Sequence, residues 1–206
     1  MFKKQILIAA FAILSISAFA QETTFGVKAG VNFSSIGGDD TEEIDGRTGF
    51  HVGGLAEIMF TDQFGIQPEL LYSMQGATSE DTPAGISIKE ELKLDYLTLP
   101  VLAKYKFAPG WNLHLGPQIG FLLNAKNESE VFYEGETESE SEDLKDYVSS
   151  IDFGLSGGFG YELDMGVFFD ARYYLGLSDI NDDNEELDSD YSVHNNVIQL
   201  SVGYKF

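Results

Sequence analysis

The residues best suited to chemistry in this chain are three carboxylates and a histidine, accompanied by three basic side chains. They are Lys28, Glu57, Glu69, Lys104, His114, Asp170 and Arg172. Paired carboxylates near a histidine can act as general acid and base, so one interpretation is an acid–base site. The other is a layer of ion pairs centred on Arg172, whose planar guanidinium can hold two carboxylates. The second is favoured, because charges that are buried together must be paired for structural reasons alone.

A second set of candidate ligands lies near the C-terminus. Asp179, Asn181, Asp183 and Asp190 fall at positions one, three, five and twelve of a calcium-loop pattern. The match is incomplete, because Asn184 replaces the turn glycine and Asp190 is shorter than the usual bidentate glutamate. Solvated acidic loops that hold divalent cations loosely are therefore the favoured interpretation, and no cofactor is expected.

The other chemically versatile residues give no catalytic signature. His51 and His194 are expected to be solvated residues near the outer rim rather than ligands. Nucleophile-elbow, zinc-protease and phosphate-binding-loop motifs are all missing from the sequence. The chain has no cysteine, so disulfides and thiolate metal sites are excluded. The sequence therefore predicts a protein that is not an enzyme.

These side chains are positioned by segments in which apolar and polar residues alternate, the pattern of a β-strand with one oily face. Eight such segments are predicted, over residues 24–33, 50–60, 64–75, 96–107, 111–124, 151–162, 167–176 and 195–206. Turns of about three residues alternate with long polar loops, which span residues 34–48, 76–91, 126–149 and 178–194. The predicted fold class is all-β, an eight-stranded antiparallel up-and-down transmembrane β-barrel.

The direction of the oily face distinguishes two kinds of eight-stranded barrel. A soluble barrel of the lipocalin type would turn its apolar face inward around a ligand. Five charged residues of each sign lie on the polar faces, and they are Lys28, Glu57, Glu69, Lys104, Lys106, Asp152, Glu162, Asp170, Arg172 and Lys205. None interrupts an apolar face, and aromatic residues mark the strand ends as in membrane-barrel girdles. We therefore expect apolar faces in lipid and a lumen filled by paired charges.

Three prolines fall inside predicted strands, and they are Pro68, Pro100 and Pro117. A closed barrel has no edge at which a missing N–H group is harmless. We therefore expect β-bulges at these positions.

Residues 1–20 are predicted to be a signal peptide, which leaves residues 21–206 as an outer-membrane β-barrel domain. Lys3 and Lys4 precede an apolar run, and Ala18-Phe19-Ala20 supplies the cleavage site. Cleavage would leave 10 basic and 34 acidic residues, a formal charge of −24, which argues against nucleic acid as a partner. Of the 34 acidic residues, 25 lie in the four predicted long loops.

Motifs spread over the mature chain carry a family resemblance. They are FGVKAGVN at 25–32, QPELLYS at 67–73, YLTLPVLAKY at 96–105, GPQIG at 116–120, DFG at 152–154 with Gly157-Gly158, and ARY at 171–173 with Gly176-Leu177. In these motifs the chain resembles the PorT-like outer-membrane β-barrel family, often labelled porin-family proteins. The resemblance implies a small, closed outer-membrane barrel, supplies no catalytic residues, and places Pro68 and Pro100 in shared motifs.

Three functions are compatible with the sequence. The favoured one is a non-enzymatic outer-membrane barrel with a side-chain-filled charged lumen and acidic extracellular loops, acting in the envelope or in surface interaction. The alternative is a narrow pore or an accessory component of a protein-secretion system, and a lipid-modifying barrel enzyme ranks third. Expected partners are outer-membrane lipid and an extracellular or periplasmic protein. The expected location is the bacterial outer membrane, with both termini in the periplasm.

Overall fold

The computed structural model describes residues 22–38, 45–81, 87–133, 136–145, 147–180 and 193–206. The strands in this part of the chain are β1 Glu22–Gly38, β2 Asp45–Met59, β3 Phe64–Asp81, β4 Ser87–Ala108, β5 Trp111–Tyr133, β6 Glu136–Asp143, β7 Ile151–Glu162, β8 Val167–Gly176 and β9 Val193–Lys205. The described residues contain no helix with the length and apolar character needed to cross a membrane. The predicted signal peptide lies outside the described residues and stays a prediction.

Eight of the strands close into a ring. The antiparallel pairings run in the order β1, β2, β3, β4, β5, β7, β8 and β9, and β9 pairs back with β1, where Val31 lies opposite Leu200. Each neighbour in the ring is the next ring strand along the chain, which makes the topology up-and-down. The predicted fold class, an eight-stranded antiparallel β-barrel, is confirmed.

The remaining strand, β6, lies outside the ring and pairs only with the outer half of β5. There β3, β4 and β5 continue past the ring, and together with β6 they form what we call the protruding sheet, residues 76–81, 87–94, 126–133 and 136–143. The prediction of long loops at 76–91 and 126–149 is therefore wrong. Backbone hydrogen bonds between neighbouring strands hold these acidic segments extended. Ion pairs across the strands, such as Lys93 with Glu128, also stabilise the sheet, so its formation does not depend on an alternating apolar face.

The apolar faces of the ring strands lie on its outside. Leu115 is 61% exposed, whereas its neighbour His114, which points into the lumen, is 4% exposed. Aromatic rings pack across strands at the end with the short turns, where the rings of Phe64 and Tyr105 lie 4.6 Å apart and those of Trp111 and Tyr161 lie 4.9 Å apart. An oily central cavity of the lipocalin type is therefore excluded.

The bulges expected at the prolines are absent. Each proline stays in register with its cross-strand partner, as seen at Pro68, Pro100 and Pro117. Because successive residues of a strand pair with alternate neighbours, a proline removes one bond from one ladder while the flanking pairs keep the register. Register shifts occur elsewhere, between Gly46 and His51 of β2 and between Asp95 and Tyr96 of β4.

The short turns use residues suited to them. Gly110 and Gly166 have φ angles of 77° and 88°, a left-handed conformation that side chains with a Cβ disfavour. In the turn between β2 and β3, the Thr61 hydroxyl accepts a hydrogen bond of 2.9 Å from the backbone N–H of Phe64. These turns fix the strand ends from which the lumen side chains project.

An apolar cluster closes the opposite end of the lumen. This outer apolar cluster consists of Ile36, Ala77, Leu94, Tyr96, Leu122, Ala125, Val148 and Ile180, with Leu92, Leu144 and Val193 packed against it. Val148 and Ile180 come from the connections after β6 and β8, and the N–H of Ser149 donates to the carbonyl of Ile180 at 2.8 Å. Two connections therefore fold across the mouth of the ring and cover the polar lumen below.

Candidate functional site

The end of the lumen near the short turns holds a cluster around Glu57, which we call the basal cluster. The Glu57 carboxylate accepts contacts from Lys104 Nζ at 2.6 Å, Lys205 Nζ at 2.6 Å and Lys106 Nζ at 2.7 Å. Lys205 Nζ also lies 2.5 Å from Glu162 Oε2. These side chains project from β2, β4, β9 and β7, so the cluster ties together strands from both halves of the ring.

The next layer outward, the central cluster, is organised by Arg172. Its Nη1 and Nη2 atoms each lie 2.9 Å from one oxygen of Glu69, a bidentate pair, and Nη2 lies 3.3 Å from Asp170 Oδ1. Lys28 Nζ lies 3.2 Å from Asp170 and 3.4 Å from Glu69. The side chains of Lys28, Glu69 and Arg172 are fully buried. Arg172 thus contacts two carboxylates, as its planar fork allows.

His114 completes the central cluster. Its Nε2 atom lies 3.2 Å from Asp170 Oδ2 and 3.4 Å from Arg172 Nε. Gly158 faces it across the β5–β7 pair, where a Cβ would lie 2.9 Å from His114 Nε2 and 2.2 Å from the Ala171 carbonyl, so only glycine fits. The close approach of the strands at this point explains why position 158 is a glycine.

A single glutamine links the two clusters. Gln67 accepts from Lys104 Nζ at 2.8 Å and donates to Glu69 Oε1 at 2.6 Å. The structure thereby brings together all seven residues named from the sequence, namely Lys28, Glu57, Glu69, Lys104, His114, Asp170 and Arg172. Buried charges of this kind are tolerated when geometry and additional hydrogen bonds satisfy them, which is the case here.

His51 does not lie at a solvated rim, and that expectation is wrong. It is fully buried, with Nδ1 2.7 Å from Asn32 Oδ1 and Nε2 2.8 Å from Ser201 Oγ. Asn32 also donates to Ser73 Oγ at 2.9 Å. His51 thus belongs to a neutral hydrogen-bonded layer above the central cluster, because alternation along β2 turns odd-numbered positions from 51 to 59 into the lumen.

A serine, a histidine and an acid lie close together near the outer mouth, an arrangement that no motif in the sequence indicates. Ser178 Oγ lies 2.9 Å from Asp152 Oδ1, and the ring Nδ1 of His194 lies 2.9 Å from the backbone carbonyl of Ser178. In a nucleophilic triad the serine hydroxyl bonds to the histidine and the histidine to the acid. Here the hydroxyl bonds directly to the acid and the histidine to backbone, so the activating connection is missing.

The calcium-loop candidates are placed only in part. Asn181, Asp183 and Asp190 lie outside the described residues. Asp179 is described, and its Oδ1 atom accepts from the backbone N–H of Val193 at 3.1 Å. Within the described part of the chain, no group of three or more His, Cys, Asp or Glu side chains is arranged to hold a metal ion.

The protruding sheet carries charge of a different kind. Arg47 at its base donates from Nε to Glu91 Oε1 at 2.7 Å, and Lys93 contacts both Glu91 and Glu128. Partial burial works against ionisation of Glu91, but the hydrogen bond and charge of Arg47 outweigh it and lower the pKa of this carboxyl. Farther out, β6 bears Glu138, Glu140 and Glu142 as exposed side chains.

A family model described as "Outer membrane protein beta-barrel domain" matches residues 19–182, most of the chain. The chain belongs to this family. The protein is therefore an outer-membrane β-barrel of the bacterial outer membrane, with its apolar faces toward lipid.

Three solved structures are similar to this outer-membrane β-barrel in fold. The attachment invasion locus protein Ail of Yersinia pestis is 15% identical, with a TM-score of 0.49 and coverage of 90% of this chain and 100% of that one. Neisserial surface protein A is 14% identical, with a TM-score of 0.49 and coverage of 90% of this chain and 100% of that one. OprG from Pseudomonas aeruginosa is 18% identical with a TM-score of 0.41, covering 91% of this chain and 97% of that one. No curated protein matches the chain.

Proposed function

We propose that this outer-membrane β-barrel is a closed, non-enzymatic barrel that presents the protruding sheet at the cell surface to a positively charged partner. The observation that carries the proposal is the charge of that sheet. Its four segments contain eleven acidic and three basic residues, and its edge strand β6 contains only acidic and hydroxyl side chains. A strongly acidic surface favours and steers the approach of basic partners.

The geometry of β6 supports a specific mode of contact. β6 pairs on one side with β5, and the described residues provide no strand on its other side. A groove of about 600 Å³ lies along β5 and β6, lined by Ser129, Val131, Glu138, Ser139 and Glu140. An extended basic segment could pair with the free backbone edge while its side chains meet the glutamates.

The filled lumen supports the closed state over the narrow-pore alternative. The basal and central clusters fill the inner part with paired charges, and the outer apolar cluster covers the mouth. The interior of an eight-stranded barrel is just wide enough for side chains to fill, and here charged side chains occupy it. A lipid-modifying enzyme is disfavoured because Ser178 is bonded to Asp152 rather than to His194.

The orientation required by the proposal places the protruding sheet outside and both termini in the periplasm. Short turns face the periplasm in barrels of this class, and the three short turns lie at the end opposite the sheet. The narrower assignment to the PorT-like proteins remains part of the proposal, supported by motifs such as residues 67–73 and 96–105.

Single cysteines test the orientation, because the natural chain has none. A membrane-impermeant maleimide added to intact cells is expected to label Ser139→Cys in β6 and to leave Asp164→Cys in a short turn unlabelled. After the cells are broken open, both variants should react. Labelling of Asp164→Cys alone on intact cells would contradict the proposed orientation.

Binding tests the function itself. The barrel in lipid nanodiscs is expected to bind an eight-residue Lys/Arg-rich peptide, with affinity that falls as salt rises. The triple variant Glu138→Gln, Glu140→Gln and Glu142→Gln should lose at least tenfold in affinity, whereas the short-turn control Asp62→Asn plus Asp164→Asn should not. Equal binding by both variants would contradict a role for β6.

A further inference from the structure

The two faces of the protruding sheet carry different charges. Residues that pair across neighbouring strands share a face, so the register assigns each side chain to one face or the other. One face, which we call the inner face, continues the wall of the lumen, because Leu94 and Ala125 pair on it and are buried in the outer apolar cluster. Farther from the ring, the charged residues that the register places on this face are all acidic, and they include Glu90, Glu138, Glu140 and Glu142.

The basic residues of the sheet lie on the opposite, outer face, and they are Lys89, Lys93 and Lys126. Carboxylates accompany them there. Lys89 lies opposite Glu130 in the register. Lys93 Nζ lies 3.7 Å from Glu91 Oε2 and also contacts Glu128. Within the described part of the sheet, the outer face therefore mixes both signs of charge, whereas the inner face is purely acidic.

The edge strand β6 shows this sorting in its sequence. Its register with β5 places a glutamate on the inner face at every second position, and we call Glu138, Glu140 and Glu142 the glutamate row. The intervening residues lie on the outer face and carry hydroxyls, and they are Thr137, Ser139 and Ser141. The edge of β6 that pairs with no described strand thus has carboxylates along one side and neutral groups along the other.

Apolar side chains lie beside the glutamate row. Ile88 and Val131 pair on the inner face, where both are half-buried, and Val131 lies opposite Glu138. The groove along β5 and β6 opens on the same face, since four of its five lining residues, among them Ser129 and Glu140, belong to it. The inner face therefore offers apolar surface and room for long side chains next to the carboxylates.

We propose that the inner face selects an extended segment in which Lys or Arg occupies every second position, and that this segment pairs with β6 as an added strand. The inference rests on the proposed surface function and specifies its partner. Side chains of an added strand alternate between the faces with the same spacing as those of β6, so every second residue meets the glutamate row and the others meet the hydroxyls. The aliphatic stems of the basic residues lie along Val131 and Ile88 while their charged ends reach the carboxylates.

The order of the basic residues, and not only their number, decides the fit. In a segment of consecutive basic residues, every second side chain falls on the outer face, beside a hydroxyl of β6 instead of a carboxylate. Long-range attraction to the acidic sheet depends on total charge and is the same for both kinds of segment. A difference in affinity between them therefore measures the pairing with β6.

Two peptides of one composition test the proposal. Each has four Lys and four Thr, either strictly alternating or as a Lys block followed by a Thr block. The natural barrel is held in nanodiscs of zwitterionic phosphatidylcholine, and binding is followed by fluorescence anisotropy of the labelled peptides in about 0.1 M salt. The alternating peptide should bind at least fivefold more tightly, because only half of the lysines of the block peptide can face the glutamate row at once. Equal affinity, or tighter binding of the block peptide, would overturn the proposal.

Matched double variants assign the preference to one face of the sheet. Glu138→Gln with Glu140→Gln removes two charges from the inner face, and the preference for the alternating peptide should fall below twofold. Glu128→Gln with Glu130→Gln removes two charges from the outer face of the neighbouring strand, and the preference should stay at least fivefold. An equal loss in both variants, or the reverse pattern, would overturn the assignment to the inner face. Heat-modifiable migration on a gel checks folding, and if a variant does not fold, the two peptides on the natural chain decide the matter.

The outcomes separate this inference from the proposed surface function. If the two peptides bind the natural barrel equally and the triple glutamine variant of β6 at 138, 140 and 142 loses both, the surface function stands and the alternating pattern is wrong. If neither peptide binds the natural barrel, both the surface function and the alternating pattern are wrong.

Discussion

The lumen and the protruding sheet are built from the same charged residue types and use them in opposite ways. In the lumen, Arg172 and Glu69 are fully buried and hold each other in a bidentate pair. In the protruding sheet, glutamates such as Glu140 are exposed to water. Removal of one charge from the lumen leaves its partner buried and unpaired, which is strongly destabilising. Removal of an exposed charge from the protruding sheet leaves no buried charge unpaired, because water solvates the neighbouring side chains. Charge therefore stabilises the first region and is available for recognition in the second.

The largest effect is expected from loss of the guanidinium at the centre of the lumen. Arg172→Met would leave Glu69 and Asp170 short of their main cation, and it should lower the free energy of unfolding by about 3–5 kcal/mol. Urea unfolding of the barrel in lipid vesicles, followed by fluorescence of Trp111, measures the change.

The matched control for this prediction lies in the protruding sheet. Glu140→Gln removes an exposed charge from a strand outside the ring, so the free energy of unfolding should change by less than about 0.5 kcal/mol. Equal losses in the two variants would contradict the contrast between the two regions.

An intermediate effect is expected where the lumen is closed by apolar side chains. Leu94 is fully buried in the outer apolar cluster, so Leu94→Ala should lower the free energy of unfolding by about 2–4 kcal/mol. Hydrogen exchange should show faster exchange in the connections at 147–150 and 177–180, which contribute Val148 and Ile180 to this cluster. If exchange became faster only at the short turns, the result would contradict a role for Leu94 in closing the outer end of the lumen.

A smaller effect, dependent on pH, is expected at the base of the protruding sheet. Because Arg47 lowers the pKa of Glu91, this pair stabilises the fold above the unfolded pKa of glutamate, about 4.3, and the contribution is lost as the pH falls through the lower folded value. Glu91→Gln should therefore cost at most about 1 kcal/mol at pH 7 and nothing in strong acid. Hydrogen exchange of residues 87–94 at both pH values measures this, and a loss that grows on acidification would contradict it.

The smallest effect on stability is expected from the edge of the sheet. The triple variant Glu138→Gln, Glu140→Gln and Glu142→Gln should change the unfolding free energy by no more than about 0.5 kcal/mol. Its loss of peptide binding would then be a loss of recognition. Thermal melting of the same samples used for binding checks this, and a large destabilisation would instead make the edge a structural element.

Alternation along the strands was sufficient to predict the ring. Strands β7 and β8 begin and end where the pattern of apolar and polar residues does, at 151–162 and 167–176. The same pattern placed the central cluster residues on one face, because period-two alternation fixes the face of every residue in a paired strand. The register that lets Arg172 reach Glu69 depends on the whole ring and could not be derived from one strand.

The protruding sheet and the outer apolar cluster could not be predicted in this way. Residues 136–143 have no apolar face, and their extended form comes from pairing with β5. Val148 and Ile180 are isolated apolar residues in polar connections, and their burial depends on two distant segments meeting over the mouth.

The central claim, that paired charges and the outer apolar cluster close the lumen, is tested most directly by single-channel recording. The barrel reconstituted in planar bilayers is expected to show no steady conductance above the bare membrane. Steady, large openings in the natural chain would contradict the account, because ions could then pass where Arg172, Glu69 and the outer apolar cluster are described as filling the ring.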